Sequence, residues 1–320
     1  MKISLEQILE GKERIALGGH IRPDGDCVGS SMGLYLYLTE QYPQLHVDLY
    51  LEEIPKSFEI LSRTNEIKHS IVDDQEYDLF ICLDCADKQR LGFSGVLYET
   101  AKHTLCIDHH ISNGAFADIN YIKPDASSTS ELVYGLLDKD KISKSCAEAL
   151  YMGIAHDTGV FQYSCTSPET MEAAAELLRK GIHGSEIIDK TYYEKTYSQN
   201  QVLGKALLES KLMCENKVIT SILSKKDMEF YNVVPSDLDG IVAQLRQTQG
   251  VEVAIFLYEL DSNEYKVSLR SNGIVDVSEV AQSFGGGGHV RAAGVTMKGT
   301  PDEIIHAIAE QISAQLRERG

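Results

Sequence analysis

The chain has 320 residues, 43% of them hydrophobic and 24% charged, with a formal net charge of −18. That length and mixture belong to a globular chain of about two domains, each long enough to bury its own core. The negative balance argues against coating long nucleic acid or lying on an anionic membrane, because phosphate backbones are held mainly by lysine and arginine. A small phosphorylated substrate stays open, provided metal ions or a local basic patch help to hold it.

No apolar run reaches the ~20 residues needed to cross a bilayer. The N-terminal stretch MKISLEQILEGKERIALGG has no long apolar core or cleavage signature, so the expected location is the cytoplasm. Seven cysteines, an odd number in a long chain, do not read as a disulfide framework. Cys82-Leu83-Asp84-Cys85 has C-x-x-C spacing, but it has no second pair to complete a zinc site and it ends a strand instead of opening a helix. Buried, reduced thiols are the expectation.

The first half alternates strand and helix signals. Arg14 to Gly18 reads as a strand, Gly29 to Glu40 as a helix, and His46 to Leu51 as a second strand. Tyr77 to Leu83 is nearly all apolar, as a parallel strand buried on both faces should be. His103 to Ile107 and Phe116 to Ile122 follow as fourth and fifth strands. Helices are expected at about 128–137, 144–156 and 168–179. This alternation predicts an α/β fold with a doubly wound, mostly parallel five-stranded sheet.

From Gly184 to about Cys214 the pattern is helical and polar, with no strand expected. A smaller mixed-sheet α/β unit comes next. Its expected strands are at 217–223, 251–260 and 264–270, with a turn at Asp261-Ser262-Asn263. A helix near 236–247, a short helix at 276–283, a glycine run, a strand near 293–297 and a terminal helix complete it. The expected domains are therefore 1–183, a helical connector at 184–214, and 215–320, with the active-site cleft between the two domains.

Ligands of doubly wound folds bind at the carboxyl ends of the strands. His20, Asp24 and Asp26 come just after the first strand, Asp84 after the third, and Asp108-His109-His110 after the fourth. Asp157 follows a helix. Taken alone, Pro23-Asp24-Gly25-Asp26 reads as a turn. Acidic positions recurring at one edge of an apolar sheet are harder to explain by turns. An EF-hand fails because its fifth position would be Val28, and no Gly-Lys-Ser/Thr marks a P-loop.

Two histidines with four carboxylates can hold a pair of divalent ions, and mixed imidazole and carboxylate donors suit manganese, iron or zinc better than magnesium. Two ions about 4 Å apart can activate a water and stabilise a phosphoryl displacement. Asp84, ending the most buried strand, is the best bridging carboxylate. Gly29-Ser30 are expected to open the first helix, whose amides would offer a place for anionic charge.

These motifs resemble the DHH phosphoesterases. The first motif stands here as His20-Ile21-Arg22-Pro23-Asp24-Gly25-Asp26 with Gly29-Ser30, and the second as Leu83-Asp84-Cys85-Ala86-Asp87. The third is Ile107-Asp108-His109-His110 with Ser112-Asn113. The fourth is Gly153-Ile154-Ala155-His156-Asp157-Thr158-Gly159 with Phe161 and Tyr163. Ala126-Ser127-Ser128-Thr129-Ser130-Glu131 also looks like a family segment. The second half resembles the DHH-associated C-terminal domain, through Gly285-Gly286-Gly287-Gly288-His289 followed by Arg291-Ala292-Ala293-Gly294. The fourth glycine before His289, where relatives often have three, affects only the register of that loop.

The resemblance implies two manganese ions. His20, Asp24 and Asp84 would hold one, and Asp26, Asp84, His109 and Asp157 the other. It implies that His110 faces the phosphate, that Asp108 orients a histidine, and that Asp84 takes part in catalysis through the ions. Arg270, Gly286, Gly287, Gly288, His289 and Arg291 would grip the terminal nucleotide.

The two-domain size is similar to the branch that hydrolyses very short oligonucleotides and 3′-phosphoadenosine 5′-phosphate (pAp). RecJ-like exonucleases are usually longer, and the basic C-terminal signature of manganese pyrophosphatases is absent from this sequence. The alternatives are a phosphodiesterase of pApA or cyclic dinucleotides, and a non-catalytic nucleotide sensor, which such proteins usually become by losing a metal ligand. The sequence leaves room for a homodimer.

Overall fold

The computed structural model describes residues 4–71 and 76–319. The chain forms two compact units, Met1–Glu194 and Lys195–Gly320.

In the first unit the elements run α1 (Leu5–Leu9), β1 (Arg14–Gly18), α2 (Gly25–Gln41), β2 (His46–Tyr50), β3 (Leu79–Leu83), α3 (Gly95–Thr100), β4 (Thr104–Asp108) and β5 (Ile119–Ile122). Helices α4 (Thr129–Leu136), α5 (Lys144–Asp157), α6 (Pro168–Arg179) and α7 (Gly184–Ile188) follow. The sheet order is β2-β1-β3-β4-β5, with every pairing parallel. The direction of winding reverses between β1 and β3, so their carboxyl ends flank the crevice where such sheets bind ligands. All five residues of β3 are buried, which explains the unbroken apolar run of its sequence.

Helix α2 is buried on every side from Gly25 to Leu38. A helix with no solvent face needs neighbours all round, and α2 lies against β2 and β3 and against α4 and α5. Gly29 is what lets α5 come close. A Cβ at Gly29 would sit 2.6 Å from Ala149 O and 2.7 Å from Gly153 Cα.

Two local expectations change. Pro23-Asp24-Gly25-Asp26 is a helix start and not a free turn. Asp24 caps α2, accepting from the amides of Asp26 (3.2 Å) and Cys27 (3.1 Å). Gly29 and Ser30 therefore lie in the second turn, not at the opening, because the Asp24 side chain caps the helix and Gly25 is its first residue. All seven cysteines are free and five are buried.

In the second unit the order is α8 (Tyr197–Leu208), β6 (Lys211–Met213), β7 (Val218–Leu223), α9 (Lys225–Tyr231) and α10 (Ile241–Arg246). Then come β8 (Val253–Asp261), β9 (Glu264–Ser271), α11 (Val277–Gln282), β10 (Gly287–His289), β11 (Ala292–Lys298) and α12 (Pro301–Arg319). The six-stranded sheet has the order β10-β11-β9-β8-β7-β6. Only β7 and β8 pair in parallel, so the sheet is mixed. Along β9, buried residues alternate with half-exposed ones, as on a pleat with one apolar face. Ile304, Ile308 and Ile312 of α12 are buried at four-residue spacing and close one core of this unit.

The stretch 184–214 is shared out. Helix α7 and a π turn at Asp189–Tyr193 belong to the first unit, and α8 belongs to the second. It also contains the short strand β6, whose three residues are too few to show a period and which pairs antiparallel with β7. The glycine run is likewise part strand, as β10 pairs with β11.

Candidate metal centre

His20 follows β1, and its Nδ1 lies 2.9 Å from Ile21 O. That contact leaves Nε2 toward two carboxylates, at 3.6 Å from Asp24 Oδ2 and 3.5 Å from Asp84 Oδ2. Asp84 is buried, and its backbone is left-handed with φ 55°. Its second oxygen faces the other way: Oδ1 lies 3.6 Å from His109 Nε2 and 3.7 Å from His110 Nδ1. One carboxylate thus turns one oxygen to His20 and the other to His109.

Around His109 Nε2 stand Asp157 Oδ2 at 3.0 Å and Asp26 Oδ2 at 3.9 Å. Donor atoms of Asp26, His109 and Asp157 all lie within 4.8 Å of one another, as do those of His20, Cys27 and Asp84. The close α2–α5 packing accounts for part of this. It joins Asp26, in the first turn of α2, to Asp157, the last residue of α5.

The electrostatics show a surplus of negative charge. Burial acts to lower the His20 pKa, yet Asp24 and Asp84 outweigh it and raise it to about 10. For His109, burial is likewise outweighed, by Asp157, Asp26 and Asp84, and its pKa also reaches about 10. Burial would raise Asp24, but His20 brings it down to about 2. Asp26 is pushed well up by burial and by the charges of Asp84 and Asp157. Asp157 rises through burial, with the Asp84 charge adding to it. Crowded carboxylates of this kind are relieved by cations, so the donor set fits divalent metal.

His110 is held differently. Its Nδ1 lies 2.7 Å from Asp108 Oδ1, a contact that raises the histidine pKa. Asp108 is fully buried, and its Oδ2 accepts from Asn113 Nδ2 at 2.6 Å. Asn113 also donates to Cys85 O, joining the ends of β3 and β4.

Three partners were not foreseen in the sequence as contacts of the cluster. The Thr129 and Ser130 amides donate to the two oxygens of Asp26 at 2.6 and 2.9 Å. The Thr129 hydroxyl donates to Asp84 Oδ1 at 3.0 Å. Cys27 stands beside His20. The Ser128-Thr129-Ser130 run at a helix start was the available signal for the first two, since free amides there attract carboxylates.

The residues expected to bind substrate lie together in the second unit. Arg270 and His289 both pair with Ala292, from opposite sides of β11. Gly287 pairs with Gly294 and Gly288 with Ala293. Gly288 has φ 148°, and a Cβ there would collide with Ala292 O, so glycine is required. Arg291 passes beside Gly273.

The chain is similar to known proteins along nearly its whole length. Residues 14–154 match the DHH family, N-terminal domain, and residues 200–318 match the DHHA1 domain. The bifunctional oligoribonuclease and PAP phosphatase NrnA of Thermus thermophilus is 28% identical, over 100% of this chain and 95% of its own. The protein of that name from Mycoplasma pneumoniae is 30% identical over 92% of this chain and 91% of its own. Among solved structures, an exopolyphosphatase-related protein from Bacteroides fragilis superposes with a TM-score of 0.89 at 28% identity, covering 97% of this chain and 94% of its own.

Proposed function

Because the chain belongs to the DHH family of phosphoesterases, we propose that it hydrolyses very short oligonucleotides to mononucleotides and pAp to AMP, with two manganese ions. The family is one of metal-dependent hydrolases. The observation that carries the two-ion reading is Asp84, whose opposite oxygens face His20 and His109 at 3.5 and 3.6 Å.

In this reading His20, Asp24 and Asp84 hold one ion, and Asp26, Asp84, His109 and Asp157 the other. Bound there, the ions would supply a Lewis acid that makes a water more acidic and offsets charge on the phosphoryl oxygens. The chain's own groups do the positioning. Asp108 takes the Nδ1 side of His110, which leaves Nε2 to donate a proton to a phosphate or leaving oxygen. In the second unit Arg270, Arg291 and His289, with the amides of Gly286, Gly287 and Gly288, hold the terminal nucleotide. They supply positive charge that a chain of net −18 otherwise lacks. The free thiols and this substrate class fit a cytoplasmic enzyme. The helices of 184–214 act as the connector between the catalytic and substrate-binding parts, and a homodimer is compatible with the reading. Among the described residues no helix is long and apolar enough to cross a membrane.

The test is turnover of pAp, a dinucleotide, a strand of about 24 nucleotides and cyclic di-AMP, each with and without Mn2+. Manganese-dependent hydrolysis of pAp and the dinucleotide, with little of the long strand, is expected. Fast cleavage of the long strand and none of the dinucleotide would overturn the reading. Preference for cyclic di-AMP would assign the enzyme to cyclic dinucleotide signals.

A further inference from the structure

Thr129 makes two contacts that no other residue at the centre combines. Its amide donates to Asp26 Oδ2 at 2.6 Å, and its hydroxyl donates to Asp84 Oδ1 at 3.0 Å. Those are the carboxylate oxygens that face His109 Nε2. The residue is fully buried at the first position of α4.

Helix capping does not explain the side chain. The Ser128 hydroxyl already caps α4, accepting from the Glu131 amide at 3.1 Å. Ser130 adds a second amide to Asp26. The segment is anchored independently: Glu131 accepts from the Ser127 hydroxyl and from Thr170 of α6. The Thr129 hydroxyl is thus the group of α4 that reaches Asp84.

We propose that Thr129 is a positioning residue that fixes the rotation of the Asp84 carboxylate, and so the spacing of the two cation positions. This inference rests on the two-ion reading above. A carboxylate free to rotate about its last bond cannot keep one oxygen on each side. A hydroxyl donating to Oδ1 opposes that rotation, and the β-branched side chain is itself restricted at χ1. Groups that orient ligands in this way typically change metal affinity by about 10–100-fold when removed.

The test uses the full chain and Mn2+ itself as probe, counting free Mn2+ by its electron paramagnetic resonance signal. Thr129→Val keeps the shape and removes the hydroxyl, and Thr129→Ser keeps the hydroxyl. The expected result is that T129V binds Mn2+ about 10–100-fold more weakly, while T129S stays within a few-fold of wild type and both keep wild-type far-UV circular dichroism. If T129V does not fold, Thr129→Ala against Thr129→Ser gives the same comparison. Wild-type affinity in T129V, or equal loss in T129S, would overturn the proposal. A wild-type protein that binds no Mn2+ would instead overturn the metal reading itself, and this inference with it.

Discussion

Single side chains at the centre carry separable tasks. Asp84 holds a left-handed backbone, which costs an ordinary L-residue about 1–2 kcal/mol. Such strain persists where the surroundings impose it, and here it turns a carboxylate back over the end of β3. Asp108 sits one step away from the cluster, on His110. Asp108→Asn is therefore expected to lower kcat by about 10–100-fold while leaving Mn2+ binding close to wild type. Loss of Mn2+ binding in that variant would make Asp108 a ligand instead. On β2, Asp48 is buried and pairs with Lys68 at 2.6 Å and the Tyr77 hydroxyl at 2.6 Å. Burial opposes ionisation, but these partners win and hold its pKa below the usual value. A lowered folded pKa means that stability is present above the unfolded value near 3.9 and lost as pH falls through the folded one. Urea midpoints should fall between about pH 5 and pH 3. Asp48→Asn should flatten that slope and cost about 1 kcal/mol at pH 7; an unchanged acid slope would show that Asp48 plays no part in it.

Elements place those residues by how closely they pack. Helices α2 and α5 touch backbone to backbone at Gly29 and Gly153. The neighbours of an added methyl at Gly29 are main-chain atoms, which cannot swing aside as a side chain would. Gly29→Ala should lower stability by about 1–3 kcal/mol, read as a shift of the urea midpoint, and weaken activity by separating Asp26 from Asp157. An unaltered midpoint would mean that the two helices have slack. Most elements were legible from local pattern: β3 as an apolar run, α5 and α6 as helical stretches, β8 and β9 as paired strands on either side of a turn. The short ones were not. Helix α9 offers only one buried residue, Met228, so no periodic stripe marks it. Strand β6 is three residues long and depends on its partner strand. Helix α2 begins earlier than expected, because Asp24 caps it, whereas Pro23-Asp24-Gly25-Asp26 taken alone reads as a turn.

At the scale of the molecule, two compact units of different sheet type share one chain of net charge −18. The amino-acid sequence alone determined the parallel first sheet, the mixed second one, and the identity of the acidic and imidazole groups past β1, β3 and β4. Local chemistry suffices there, since hydrophobic period and turn residues act over a few positions. Only tertiary structure decided how those groups face one another. The Thr129 amide meets Asp26 across 103 residues of chain, and its hydroxyl meets Asp84 across 45. No local pattern encodes such distances. They follow from sheet order and from glycine contacts between helices, which set the separation of side chains that no period in the sequence relates.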